Sequence, residues 1–174
     1  MQKSQNADKD SESFLALTLT PDTIIDYAWQ FTNEKVDAKG ISSKHFANSQ
    51  NLVHEAAVAI DKAVEAASSD VSKVVFGLSS SWFEGVNLKS ESSKLLNNLS
   101  RDLDLSPQAY VSLATAVNHF LKMEEGVTPN AVLVGIFNDF SEAHLVKNNK
   151  VLFTEKLNAK AEVGGVVDLI KKLK

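Results

Sequence analysis

Cysteine is missing from the 174 residues, which excludes disulfides and thiolate metal sites and suits a reducing compartment. Basic clusters are missing too. With a net charge of −4, nucleic acid is not expected as the main partner, because phosphate binding needs grouped Lys and Arg. Nothing approaches about 18 consecutive apolar residues, so no membrane span is expected. The first thirteen residues have no apolar run of the signal-peptide type and read as a polar, disordered tail. Asn98 to Ser100 matches a glycosylation sequon, which carries no meaning without secretion. These absences lead to the expectation of a soluble cytoplasmic protein.

What is present is a repeat. LALTLTPDTIIDYA at 15–28, followed by TNEKV at 32–36, has the pattern of VLVGIFNDFSEAHLV at 132–146, followed by KNNKV at 147–151. The two stretches lie about 117 positions apart. Each reads as an apolar strand, a polar turn, an alternating strand, a second turn and a third strand. Hydrophobic residues make up 44%, enough for one good core or one domain and part of another. Charged residues, at 23%, are ordinary for a globular protein.

Between the repeats the period changes. Leu52, Ala56, Ile60, Ala63 and Ala67 form one stripe of a helix whose N-cap is Asn48 or Ser49, with His54, Asp61 and Glu65 opposite. Residues 71–78 read as a buried strand, and a loop with Trp82, Phe83 and Gly85 follows. Leu95, Leu96, Leu99 and Leu103 mark a second helix that stops before Pro107, and 109–113 a further strand. A third helix is expected from near Thr115, with Ala116, Val117, Phe120 and Leu121 inward and its end at Gly126. A last helix from about Ala161 carries Val163, Val166, Val167, Ile170 and Leu173. The fold class is α/β, in the order βββαβαβα followed by βββα, with a mixed sheet and helices on its faces. The expected units are a tail at 1–13, a first half at 14–126 and an incomplete second half at 127–174.

This order resembles the actin-like ATPase (ribonuclease-H-like) fold, in which each half is a βββαβαβα unit. SPQAYVSLATAVNHFLKMEEG at 106–126 and VVFGLSSSW at 74–82 are similar to segments of the FtsA and PilM group of bacterial actin-like proteins. The resemblance covers roughly residues 14–157. It implies two phosphate-binding hairpins, at 14–23 and 132–146, each with an Asp-x-Gly core whose Asp holds a hydrated metal and whose Gly lets backbone meet phosphate. Here Thr18 stands at the first Asp position and Thr20 at the Gly position, while Gly135 and Phe137 stand at the second pair, with Asn138 next to them. Both acidic ligands are gone, and threonine replaces carboxylate poorly towards Mg²⁺. No cofactor is therefore expected. ATP with Mg²⁺ belongs only to the alternative, in which the chain is the N-terminal part of an active ATPase completed by a second half.

Other constellations are weaker. Gly77 to Ser81 lacks the closing glycine of a nucleophile elbow and reads as a strand exit. His45, His54, His119 and His144 are scattered, with no His-Glu-x-x-His, and read as solvated or capping residues rather than zinc ligands. No Gly-x-x-x-x-Gly-Lys loop occurs. Asp22 and Asp26 in the first hairpin and Asp139 and Glu142 in the second read as solvated carboxylates, a metal role being the rival. Trp82 and Phe83 are adjacent aromatics in a polar loop: one is exposed as a partner anchor, or the loop folds back and both complete the core. The last helix, with Lys171, Lys172 and Lys174, either packs on the 131–157 hairpins or lies on an anionic membrane, and packing is preferred. The resemblance implies a scaffold module, non-catalytic or weakly nucleotide-binding, in a membrane-associated machine of the cell division or type IV pilus assembly kind. Its expected partners are proteins, including self-association or components of a membrane complex.

Overall fold

A computed structural model describes residues 11–20, 23–32, 35–45, 51–67, 71–126, 129–137, 140–157 and 162–173. The first half opens with a meander of β1 (Ser11–Leu19), β2 (Thr23–Thr32) and β3 (Lys35–His45), followed by α1 (Leu52–Ala67) and β4 (Lys73–Leu78). A short 3₁₀ turn at Ser80–Trp82 leads into a two-residue-per-strand hairpin, β5 (Phe83–Glu84) and β6 (Asn87–Leu88). Helix α2 (Ser90–Asp102), β7 (Ser106–Ser112) and α3 (Leu113–Glu125) complete this half. The second half has β8 (Ala131–Ile136), β9 (Ser141–Lys147), β10 (Lys150–Leu157) and α4 (Val163–Lys172).

The five-stranded sheet runs β3-β2-β1-β4-β7, antiparallel within the meander and parallel from β1 through β4 to β7. Alternation decides which side is buried. Leu15, Leu17 and Leu19 of β1, Ile24 and Ala28 of β2, and Val74, Phe76 and Leu78 of β4 turn to the face covered by α1 and α2. Contact there is close: a Cβ on Gly40 would lie 2.2 Å from the Ala63 carbonyl oxygen. Small side chains at Ala56, Ala59 and Ala63 of α1 allow that approach.

The second sheet, β10-β9-β8, repeats the meander, and α4 packs on β9 and β10 as α1 packs on β2 and β3. The turns match as well. Thr20 N–H donates to Thr23 O at 3.0 Å, and Phe137 N–H donates to Phe140 O at 2.9 Å. A smaller core of Ala143, Leu169 and Leu173, with Val132, Val134, Leu145, Leu157 and Val166 around it, covers the apolar face of α4. Packing takes up Val166, Leu169 and Leu173, whereas Val167 of the expected stripe is 45% exposed.

Several boundaries differ from the sequence reading. Strand β1 begins at Ser11, inside the stretch expected to be tail, because residues 11–13 pair with Thr32, Phe31 and Gln30. Strand β7 begins at Ser106 and includes Pro107, which an edge strand tolerates. Helix α3 starts two residues early, capped by Ser112, whose side chain accepts from Thr115 N–H at 3.1 Å. Its inward face is also different. Ala114 and Asn118 are buried, whereas Ala116, Val117 and Phe120 face outward, Phe120 being 60% exposed. The expected N-caps Asn48 and Ser49 lie outside the described residues.

Candidate functional site between the two hairpins

The β1–β2 and β8–β9 turns both lie at the ends of apolar strands, and their side chains close space rather than open it. Thr18 is half-buried and pairs with Ile25 on one side and Gly77 on the other. Thr20 is buried and bonds across its own turn: its Oγ1 donates to Thr23 O at 3.2 Å and accepts from Thr23 N–H at 3.0 Å. In the second hairpin, the Phe137 ring lies over Gly135. A Cβ built on Gly135 would be 2.9 Å from Phe137 Cε2 and 3.2 Å from Glu142 Cγ. Phe137 also stacks on Phe140, with centroids 4.3 Å apart and planes 6° from parallel. At the described turn residues, Thr20 in the first hairpin and Phe137 and Phe140 in the second, there is no carboxylate. Asn138, Asp139 and Asp22 lie outside them.

Ser79 to Ser81, at the end of β4, stand next to the first hairpin, where Ser79 N–H donates to Leu19 O at 3.3 Å. Ser79 is extended (φ −65°, ψ 162°), so the strained nucleophile turn is absent and the segment is a strand exit. What reaches this segment is Glu142 of β9, 2% exposed. Its Oε2 accepts from Ser80 N–H at 3.2 Å and from the Ser80 hydroxyl. Its Oε1 lies 3.1 Å from His144 Nε2, and His144 Nδ1 bonds Thr154 Oγ1 at 2.9 Å. With Nε2 donating to Glu142, a neutral imidazole leaves Nδ1 to accept from the Thr154 hydroxyl. Burial raises the Glu142 pKa, but hydrogen bonds from His144 and Ser80 outweigh it and hold the carboxyl below its ordinary value. Lys156 donates to Ser80 O at 3.0 Å, and Lys89 donates to Ser81 O at 2.7 Å. Burial, then the charge of Lys89, lower the Lys156 pKa, while Glu142 pulls it up.

Two sequence readings are corrected here. Glu142 and His144 are not solvated; they are partners in a buried polar cluster joining the halves. The signal available was weak, because Ser141, Glu142, Ala143 and His144 are all buried and β9 lacks the one-sided alternation that marks a half-buried strand. Asp26 is likewise not solvated. It is fully buried in β2, in register with Leu17 and Ser42, and no hydrogen bond of ordinary geometry reaches either carboxylate oxygen. Burial pushes its pKa up to about 7, opposed in part by the Tyr27 backbone. Asp26 and Glu142 sit in separate environments, and no group of three or more His, Asp or Glu that could hold a metal occurs among the described residues.

Trp82 is 8% exposed and Phe83 half-buried, and both pack on the first-half core with Leu88 and Leu95 nearby. The loop folds back through the β5–β6 hairpin, Lys89 N–H donating to Trp82 O at 3.1 Å, so the rings complete the core. His54 and His119 are exposed, as read. No helix among the described residues is long and apolar enough to cross a membrane.

No family model matches this sequence, and no curated protein matches it. Solved structures do. The ethanolamine utilization protein EutJ from Carboxydothermus hydrogenoformans aligns over 94% of this chain and 58% of its own, with a TM-score of 0.64 and 9% identity. A chain of a PilM–PilN type IV pilus biogenesis complex aligns over 83% of this chain and 61% of its own, with a TM-score of 0.62 and 12% identity. A Bacteroides thetaiotaomicron protein described as having an actin-like ATPase fold and unknown function aligns over 92% and 77%, with a TM-score of 0.55 and 11% identity. The chain thus spans about 60% of the first two solved chains. With its mixed five-stranded sheet, its repeated meander and these neighbours, the chain has the actin-like ATPase fold.

Proposed function

We propose that the chain is a non-catalytic, at most weakly nucleotide-binding, actin-like scaffold module that acts in the cytoplasm on protein partners of a membrane-associated machine. The observation that carries this reading is the Phe137 ring lying over Gly135, which fills with apolar side chain the place where a phosphate hairpin needs bare backbone. Thr18 and Gly135 offer no carboxylate towards Mg²⁺, so two anionic ligands of a metal–nucleotide complex are lost. The likeness to a chain of the PilM–PilN complex supports a protein partner, in a machine of the cell division or type IV pilus assembly kind. Titration calorimetry with Mg-ATP tests the reading: no binding tighter than about millimolar, near −4 kcal/mol, is expected. Micromolar binding or hydrolysis above background by this chain alone would overturn it.

One observation favours the alternative, in which the chain is part of a working ATPase. The solved chains extend well beyond the region it covers. An acidic or Gly-Gly adenine-binding segment encoded after Lys174, together with Mg-ATP turnover by that longer chain, would establish it.

A further inference from the structure

Every polar group of Ser80, in the first half, is engaged by the second half. Its N–H and hydroxyl donate to Glu142 of β9, and its carbonyl accepts from Lys156 of β10. At the other end of the β9–β10 hairpin a second tie joins the halves, Asn118 Nδ2 of α3 donating to Asn149 Oδ1 at 2.9 Å. The two ties are unequal. The Asn–Asn bond is neutral, and Asn118 Oδ1 has no hydrogen-bond partner. Glu142 is a buried charge fixed by three donors, and charge-assisted bonds of this kind are roughly twice as strong as neutral ones. Removing one partner of such a cluster leaves the others buried and unsatisfied.

We propose that Glu142 is a latch: it clamps the β8–β10 sheet onto the Ser79–Ser81 segment and holds the two halves together without a ligand, the Asn118–Asn149 contact acting as the hinge side. The groups facing the carboxylate are Ser80 from the β4 exit, His144 from its own strand, and Lys156 from β10, with Lys89 on the neighbouring segment. This inference goes beyond the proposed function and stands whether or not the chain binds nucleotide, because it rests on contacts between the halves alone.

The absence of native cysteine makes the test direct. Spin labels on Glu65→Cys, exposed on α1, and Lys150→Cys, exposed at the start of β10, report the distance between the halves. With Glu142 present, a single narrow distribution is expected. Glu142→Gln should broaden it at least twofold and shift it. Amide exchange in β8–β10 should rise by about tenfold or more while β1, β2 and β4 keep their protection. Unchanged distances in a folded Glu142→Gln protein would overturn the latch, and so would a uniform loss of protection across both halves. If Glu142→Gln does not fold, Ser80→Ala and Lys156→Met decide. Either should widen the distribution by a smaller step, and no widening in both would overturn the proposal.

Discussion

The Phe137 ring occupies the space that a side chain at Gly135 would need, 2.9 Å from the nearest ring atom. The two positions therefore act as a pair, and glycine at 135 is explained by packing inside the hairpin rather than by closeness to a phosphate. Gly135→Asp, which would restore an acidic residue to the second hairpin, should destabilise the chain by about 1–3 kcal/mol through overpacking. Adding Phe137→Ala should relieve part of that cost, so the double variant is more stable than the sum of the singles implies. Chemical denaturation of the four proteins measures the coupling. Additive effects would show that the ring yields freely.

Asp26 should make stability fall as pH rises. Its native pKa of about 7 lies above the ordinary 3.8, so between those values the native state holds a proton that the unfolded state has lost. Stability is fully present below about pH 4 and declines up to about pH 7, by on the order of 4 kcal/mol in total. Asp26→Asn should flatten this slope, measured as Tm against pH between 4 and 8. An unchanged slope would assign it to another group.

Glu142 works in the opposite direction. Its carboxyl titrates below its ordinary value in the native state, so its contribution is present above the unfolded value and is lost as pH falls through the native one. Together the two carboxyls predict greatest stability in mildly acidic buffer, near the unfolded carboxyl range. Glu142→Gln should remove the acid-side decline and leave the Asp26 slope in place. Thermal melts across both limbs separate the two.

Trp82→Ala should cost roughly 3–5 kcal/mol, as expected of a large ring removed from a core, and Phe83→Ala distinctly less because that ring is only half-buried. Equilibrium unfolding decides. A Trp82→Ala protein of nearly normal stability would place the ring outside the energetic core.

Among the described residues, strand β8 is hydrogen-bonded only to β9, whereas its counterpart β1 lies between β2 and β4. The consequence is visible at Ile136, which is 51% exposed where the corresponding Leu19 is fully buried. AVLVGI carries no charge or proline to protect that edge. Concentration-dependent self-association of the 174-residue chain is expected by light scattering, and Ile136→Lys should suppress it. A chain that stays monomeric at high concentration would show the edge to be shielded.

The fold was legible where one face is buried and period settles the assignment. The Leu15, Leu17 and Leu19 alternation, the Leu52 to Ala67 stripe and the recurrence of the meander all name their elements. The α3 face was misjudged because its helix packs through Ala114 and polar Asn118, leaving Val117 and Phe120 outside, against the usual direction of hydrophobicity. The candidate site was legible as a loss: Thr18 and Gly135 show from sequence that carboxylates are missing. What replaces them was not legible. Glu142 meets Ser80 from about sixty positions away, and such a buried polar pairing leaves no periodic trace.

The two apolar clusters share no residue, and they differ greatly in size. The larger spans three strands and two helices and is of the order that sustains a cooperative unit. Among the described residues, the smaller has Ala143, Leu169 and Leu173 buried in it, under a three-stranded sheet. Such a core is too slight to order itself early. The first half is therefore expected to order first, with β8–β10 and α4 condensing upon it as Glu142 is buried against Ser80, an order that pulsed hydrogen-exchange labelling during refolding would check.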